Sequence, residues 1–335
     1  MATQAGEVRW WRRVGTPEEG FGYLRADGRP LRSPAALARI RRLVIPPAWT
    51  DVRISPDPQS KVQVTGKDAA GRKQYRYHPD FVRRGARRKY RKLLHYARDL
   101  PRLRETTEEH LKQPGLGRRK VLATVVRLIQ RGFFRIGSEK YAVRNKTFGL
   151  ATLRKKHLRI QGDDLFFRYV GKKSIDARHV VADTPLVEVI REIMKLPGPR
   201  LFKYVDEEGK VRNVTAADVN GYLREVLGEH YTSKDIRTWG GTVRAATILA
   251  DLGPAQSEKE AKRNVVLACK LVSSELGNTP AVCRSAYIHP AVFEGYLEGK
   301  TIAPLMREAP RPDGGAAARY YPEEAALMRF LEKWG

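Results

Sequence analysis

The side chains with chemical capacity in this 335-residue chain are cations set in short strings beside one amide and one tyrosine. Arg135 stands in FFRIGSEKY, Lys172 in YVGKKS, Lys234 and Arg237 in YTSKDIRTWGG, and Asn278 and Tyr287 in LGNTPAVCRSAYIHP. Guanidinium and ammonium groups can grip phosphate oxygens directly, so phosphate chemistry is within reach of such a set. Taken singly, each cation is equally consistent with a solvated or phosphate-contacting residue, and Tyr287, one of 14 tyrosines, with a packing residue. More familiar catalytic patterns are missing. The string VGKKS resembles the end of a nucleotide phosphate loop, but Phe166 stands where that loop requires Gly, which argues against ATP hydrolysis. The histidines at 78, 95, 110, 157, 179, 230 and 289 show no HExxH or paired spacing, and Asp163 with Asp164 reads as a turn. A metal-dependent nuclease is disfavoured, and neither a metal nor another cofactor is expected.

The elements that must carry these residues fall into two regions. Residues 1–90 are short apolar runs cut by Gly and Pro, which predicts a small antiparallel β-rich domain interrupted by one helix that starts at Ser33-Pro34. From about residue 80 the pattern turns helical, with a break expected at Pro101 and a second helix through Leu111. A loop then leads into RKVLATVVRLIQRG. Residues 91–335 therefore read as a mainly α-helical domain with one β island, for an α+β fold class overall. Runs at 157–160, 165–170 and 174–181 predict a three-stranded antiparallel sheet with Lys172 in a hairpin turn. Helix starts are expected at Thr184-Pro185, at Thr215 with Asp218, and at Ser257 with Glu260, the last helix ending at Gly277. A Pro/Gly/Ala-rich stretch at 308–318 precedes a final amphipathic segment, PEEAALMRFLEKW, expected to dock on the body.

Charge indicates the partner. Lys and Arg number 64 against 37 Asp and Glu, a net +27, and both regions share the excess, with 20 basic to 8 acidic residues in 1–90 and 44 to 29 in the rest. Cationic surfaces on both domains suggest one polyanion held between them, with counterion release supplying much of the affinity; nucleic acid fits best. Arg83, Arg84, Arg87 and Arg88 belong to a run of seven cations in ten residues, either on phosphate or as a solvated face. Apolar residues make up 41% of the chain, too many for a disordered basic tail. No 18-residue apolar run and no apolar leader occurs, so a membrane is not expected and a cytoplasmic, nucleoid-associated location is. Cys269 and Cys283 lack CxxC spacing and read as reduced thiols.

Taken in order, FRIGSEKY, FGLATLRKKHLRI, YVGKKS, KDIRTWGG and LGNTPAVCRSAYIHP resemble the type IB DNA topoisomerases, in particular the compact poxvirus-like group found also in bacteria. IPPAW and GRKQYRYHPD extend the likeness into the amino-terminal region, so that it covers most of residues 20–300. The resemblance implies that Tyr287 is the nucleophile and that Arg135 and Arg237 hold the scissile phosphate. It implies further that Lys172 protonates the leaving oxygen and that Lys234 is an auxiliary catalytic lysine. Gln74, Tyr75 and Tyr77 resemble clamp-domain contacts to DNA, and Lys140 and Tyr141 are expected on DNA with the four arginines at 83, 84, 87 and 88. Asn278 departs from the commonest pattern, which has His there, although bacterial members resemble this chain in having Asn. An amide NH2 can still donate to a phosphate oxygen, so slower cleavage is expected without loss of activity.

The implied activity is relaxation of supercoiled duplex DNA through a transient 3′-phosphotyrosyl bond, without ATP or a required metal, by a monomer that clamps around the duplex. A tyrosine phenol has a reference pKa near 10, so nearby cations are needed to make it a nucleophile, and guanidinium forks can meet the charge on a pentacoordinate phosphorus. Two alternatives remain. A tyrosine recombinase uses a similar residue set but more typically has His-x-x-Arg where this chain has Lys234 and Arg237. A noncatalytic DNA-binding protein accounts for the charge and leaves the ordered set of chemically apt residues unexplained.

Overall fold

The computed structural model describes residues 10–228, 231–308 and 320–335. The first nine residues, His230 and all but the first residue of the 308–318 stretch lie outside the described residues. The chain divides into two compact units, Met1–Tyr90 and Arg91–Gly335.

The first unit is an antiparallel sheet built on β1 (Trp11–Thr16), β2 (Gly20–Leu24), β3 (Thr50–Ile54), β4 (Val62–Lys67) and β5 (Lys73–Tyr77), in the order β2-β1-β3-β4-β5. Helix α1 (Pro34–Arg42) begins where Ser33 Oγ accepts from the Ala36 amide and Pro34 presets the first turn. Its Ile40 is buried with Leu31, Val52, Ile54 and Val64 to form the core, flanked by Trp11 and Trp49.

The boundary between units falls inside α2 (Pro79–Lys112), which runs unbroken through Pro101. This corrects the break expected there. Proline removes one backbone donor and costs about 3 kcal/mol in a helix interior. Leu93, Tyr96, Ala97, Leu100, Leu103, Thr107 and Leu111 nevertheless keep one buried stripe on both sides of it. Each large apolar member of the stripe contributes roughly 1.5–3 kcal/mol, and a change of direction would expose several of them.

The second unit centres on α3 (Arg118–Gly132), whose Val121 to Val126, Leu128 and Ile129 are buried on nearly every face. Phe133 ends it in the left-handed region at φ 51°. Short α4 (Glu139–Asn145) follows, then β6 (Leu158–Gln161), β7 (Asp164–Val170) and β8 (Asp176–Ala182), which form the antiparallel sheet β6-β7-β8. Helix α5 (Thr184–Lys195) is capped by Asp183, which accepts from the Leu186 amide and from Arg127 Nε at 2.8 Å. Strands β9 (Lys203–Val205) and β10 (Val211–Asn213) form a small antiparallel pair. Helix α6 (Ala216–Leu227) carries the Thr215–Asp218 capping box.

The remaining elements are α7 (Ser233–Leu252), α8 (Glu258–Leu276), α9 (Pro280–Ala286), α10 (Pro290–Leu297), α11 (Ala303–Arg307) and α12 (Pro322–Trp334). Helix α12 packs on α7, α10 and α11, as its amphipathic sequence predicts. Its anchor is polar. Glu324, 6% exposed, accepts from Arg104 through both guanidinium nitrogens at 2.8 Å and from Trp239 Nε1 at 3.3 Å. Glu324→Ala strips the carboxylate from a mostly buried guanidinium and should lower unfolding free energy by about 3–5 kcal/mol. Denaturant titration checks this, and Glu324→Gln, which keeps one acceptor, should lose less.

Candidate active site

The end of α8 organises the site. Gly277 takes the left-handed conformation at φ 62°, the Asn278 amide bonds back to the Ser273 carbonyl at 3.0 Å and the Gly277 amide to that of Ser274 at 3.3 Å. This is the Schellman arrangement, and it leaves the Leu276 and Gly277 carbonyls turned outward without helix partners. Two arginines take them. Arg237 Nη2 on α7 donates to the Leu276 carbonyl at 2.9 Å, and Arg135 Nη2 donates to the Gly277 carbonyl. The partial negative charge of a helix carboxyl end favours cations there, so one helix terminus fixes both guanidinium groups.

Arg135 also donates to Asn278 Oδ1 at 2.5 Å. A guanidinium can only donate, so this contact fixes which end of the amide is oxygen and turns Nδ2 the other way. That NH2 is buried and, apart from the neighbouring Cys283 thiol, meets no partner among the described residues. Burial pushes the Cys283 thiol up to about 11, with Asn278 drawing it part of the way back, so both free cysteines are buried and unreactive in character.

Close backbone approaches bring the segments together. Arg135 lies in the extended exit from α3, whose carbonyl accepts from the Leu150 amide at 2.9 Å. A Cβ at Gly149 would stand 2.6 Å from the Arg135 oxygen and 2.5 Å from the Gly137 nitrogen, so only glycine permits that pairing. Likewise a Cβ at Gly241 would meet the Tyr287 carbonyl at 2.8 Å. This glycine lets α7 lie against the residue that ends α9. Tyr287 sits there with its amide bonded to the Cys283 carbonyl at 2.9 Å. Its ring centroid lies 5.2 Å from the Arg237 guanidinium carbon and 5.9 Å from Lys234 Nζ. Burial lowers the Arg237 pKa from its ordinary value, Arg135 adds to that, and the Tyr287 hydroxyl opposes it. Arg237, 3% exposed, is thus a desolvated cation aimed at a phenol.

The structure brings Arg135, Lys234, Arg237, Asn278 and Tyr287 together. Lys172 is exposed in the turn Lys172–Ser174 that joins β7 to β8. Sequence reasoning missed Tyr169 and His179 beneath that turn, both in the electrostatic field of Arg135 and Arg237. Tyr169 carries a weak signal as an inward position of an alternating strand, whereas His179 reaches the site only by cross-strand pairing. Gly241 was visible only as part of a motif.

The residues expected on DNA are accessible in their own elements. Tyr75 and Tyr77 project from β5 with 43% and 41% exposure and stack at 5.9 Å. Gln74 Nε2 is engaged with Asp68 at 2.9 Å. Arg83, Arg84, Arg87 and Arg88 are exposed on α2, with Arg83 paired to Asp80. Lys140 and Tyr141 are exposed on α4.

A constellation of two anchored arginines, an amide and a tyrosine defines a site suited to phosphoryl transfer. The model of the eukaryotic DNA topoisomerase I catalytic core matches residues 80–303, and that of the bacterial DNA topoisomerase IB amino-terminal domain matches residues 20–68. The chain is 31% identical over 267 residues to DNA topoisomerase 1B of Acanthamoeba polyphaga mimivirus, covering 78% of this chain and 80% of that protein. It is 23% identical to the vaccinia virus (strain Copenhagen) DNA topoisomerase 1B over 76% of this chain and 80% of the relative. With DNA topoisomerase 1 of rabbit fibroma virus (strain Kasza) it shares 24% identity over 80% and 84%. The chain belongs to the type IB DNA topoisomerase family. No helix among the described residues is long and apolar enough to cross a membrane.

Proposed function

We propose that this chain relaxes supercoiled duplex DNA by cutting one strand at Tyr287 and resealing it, acting as a monomer in which residues 1–90 help to clamp the duplex. The observation that carries this reading is the pair of arginines fixed on the carboxyl end of α8, one of them 5.2 Å from the Tyr287 ring and the other bonded to Asn278. In the reaction the Tyr287 oxygen bonds to phosphorus as its phenolic proton leaves to water. The phosphorus–O5′ bond breaks, and Lys172 gives a proton to the departing oxygen. Arg135, Arg237 and Asn278 supply N–H donors to the equatorial oxygens, where charge accumulates in the transition state. Because the guanidinium groups are anchored before DNA arrives, little reorganisation is required at that moment. Lys234, exposed on the first turn of α7 near the Tyr287 ring, adds positive potential at the nucleophile.

The resulting phosphotyrosyl ester conserves the energy of the broken phosphodiester, so the free 5′ hydroxyl can reverse the attack without ATP. Between the two steps torsional strain turns the downstream duplex about the intact strand. Tyr75 and Tyr77 offer aromatic faces, and Gln74, Lys140 and Tyr141 polar ones, to the duplex. Arg83, Arg84, Arg87 and Arg88 offer sequence-independent phosphate contacts. Supercoiled plasmid incubated with the protein in EDTA without ATP tests the reading. Ladders of relaxed topoisomers from both positive and negative supercoils are expected, and no relaxation, or relaxation only with ATP, contradicts it.

A further inference from the structure

Lys172 reaches its target only through the hairpin that carries it, and two residues in that turn, Lys173 and Ser174, have positive φ of 63° and 57°. What holds the hairpin's base is therefore what places the proton donor. Tyr169, three residues before Lys172, is 6% exposed, and its hydroxyl lies 3.3 Å from His179 Nε2 on the neighbouring strand. The two rings are nearly parallel, 14° apart. The His179 ring also stacks on Phe134 at 4.1 Å, and Phe134 is the residue before Arg135. The contacts thus run Tyr169, His179, Phe134, Arg135, from the acid-bearing hairpin to an arginine of the phosphate site.

The protonation states are fixed. Burial lowers the His179 pKa to about 4, a hydrogen bond to the Gly132 backbone opposes this, and Arg237 and Arg135 lower it further. The ring is neutral at neutral pH and spends its one N–H on the Gly132 carbonyl, so Nε2 is an acceptor. Burial raises the Tyr169 phenol to about 12, so it stays protonated and donates. The remaining lone pairs of its oxygen lie in the field of Arg237.

We propose that Tyr169 and His179 are a positioning pair that locks the base of the Lys172 hairpin to the Arg135 segment and so sets where Lys172 delivers its proton. The inference rests on the reading of Lys172 as general acid. Neither residue forms or breaks a bond. In the step they serve, the Tyr287 oxygen–phosphorus bond forms, phosphorus–O5′ breaks and a Lys172 proton moves to O5′.

A substrate that replaces the bridging 5′ oxygen with sulfur isolates the effect, because a departing thiolate is stable without a proton. Single-turnover cleavage rates are compared on oxygen and sulfur substrates for the parent, Lys172→Ala and Tyr169→Phe. The Phe variant keeps the ring packing and loses only the O–H donor, and the sulfur-to-oxygen rate ratio does not depend on the fraction of folded enzyme. Tyr169→Phe should be slowed about 10-fold on oxygen, within the range that a misplacement near 1 Å costs, and should match the parent on sulfur. Equal slowing on both substrates, or none on oxygen, overturns the proposal. Rescue of Lys172→Ala by sulfur without rescue of Tyr169→Phe refutes the positioning pair alone. Failure to rescue Lys172→Ala refutes the general acid and the pair with it.

Discussion

Tyr287→Phe should abolish relaxation and eliminate any covalent protein–DNA complex, a loss of at least about 10⁴-fold in line with nucleophile removals in other covalent enzymes. The substitution deletes one oxygen. The ring that lies 5.2 Å from Arg237 and 5.9 Å from Lys234 remains, as does the backbone bond to the Cys283 carbonyl. Fold and affinity for uncut duplex should therefore be retained, which separates loss of chemistry from loss of binding. Gel shift with intact duplex and plasmid relaxation, run on the same preparation, check both halves of the expectation. Residual relaxation by the Phe variant would remove Tyr287 from the nucleophile's role.

Arg237→Ala should reduce the cleavage rate by about 10²–10³-fold, the usual effect of removing one preorganised donor from a developing oxyanion. Two features place the effect at the transition state. The guanidinium is almost fully buried, so its charge is poorly screened by water, and its Nη2 is anchored to the Leu276 carbonyl at 2.9 Å. Arg237→Lys keeps the charge but not the planar fork that reaches the carbonyl and a phosphate oxygen together, and should recover only part of the rate. Duplex affinity, spread over many exposed cations, should change far less than the rate. Pre-steady-state cleavage of a suicide duplex, together with its dissociation constant, measures the difference; equal losses in rate and affinity would mean that Arg237 serves ground-state binding.

Much of this architecture is legible in the sequence, because local rules and tertiary packing agree. Ser33-Pro34, Thr215 with Asp218, and Ser257 with Glu260 mark helix starts by side-chain capping, and all three act as caps in the structure. The sheet of β6, β7 and β8 follows from alternation around Gly162, whose φ of 59° suits the two-residue turn between Gln161 and Asp164. Pro101 misleads because a local rule competes with a buried stripe longer than its reach. Within the site, residue identities come from motifs, but the means of positioning them does not. Nothing local reveals that the helix end at Gly277 would hold arginines 142 and 39 residues away in sequence, from Arg135 and from Arg237 to Leu276. His179 is hidden for the same reason, since its contacts with Tyr169 and Phe134 depend on strand register and on the turn after α3. The α12 anchor is similarly nonlocal, joining residues 220 positions apart.

The central claim is that a DNA strand becomes esterified through its 3′ phosphate to one named phenol. Denaturant quenching of a reaction on a nicking-trap duplex, followed by proteolysis and mass spectrometry, tests it most directly. A peptide containing Tyr287 and carrying the 3′-phosphoryl nucleotide is the expected product. An adduct on another residue, linkage through a 5′ phosphate, or strand cleavage with no adduct would contradict the account.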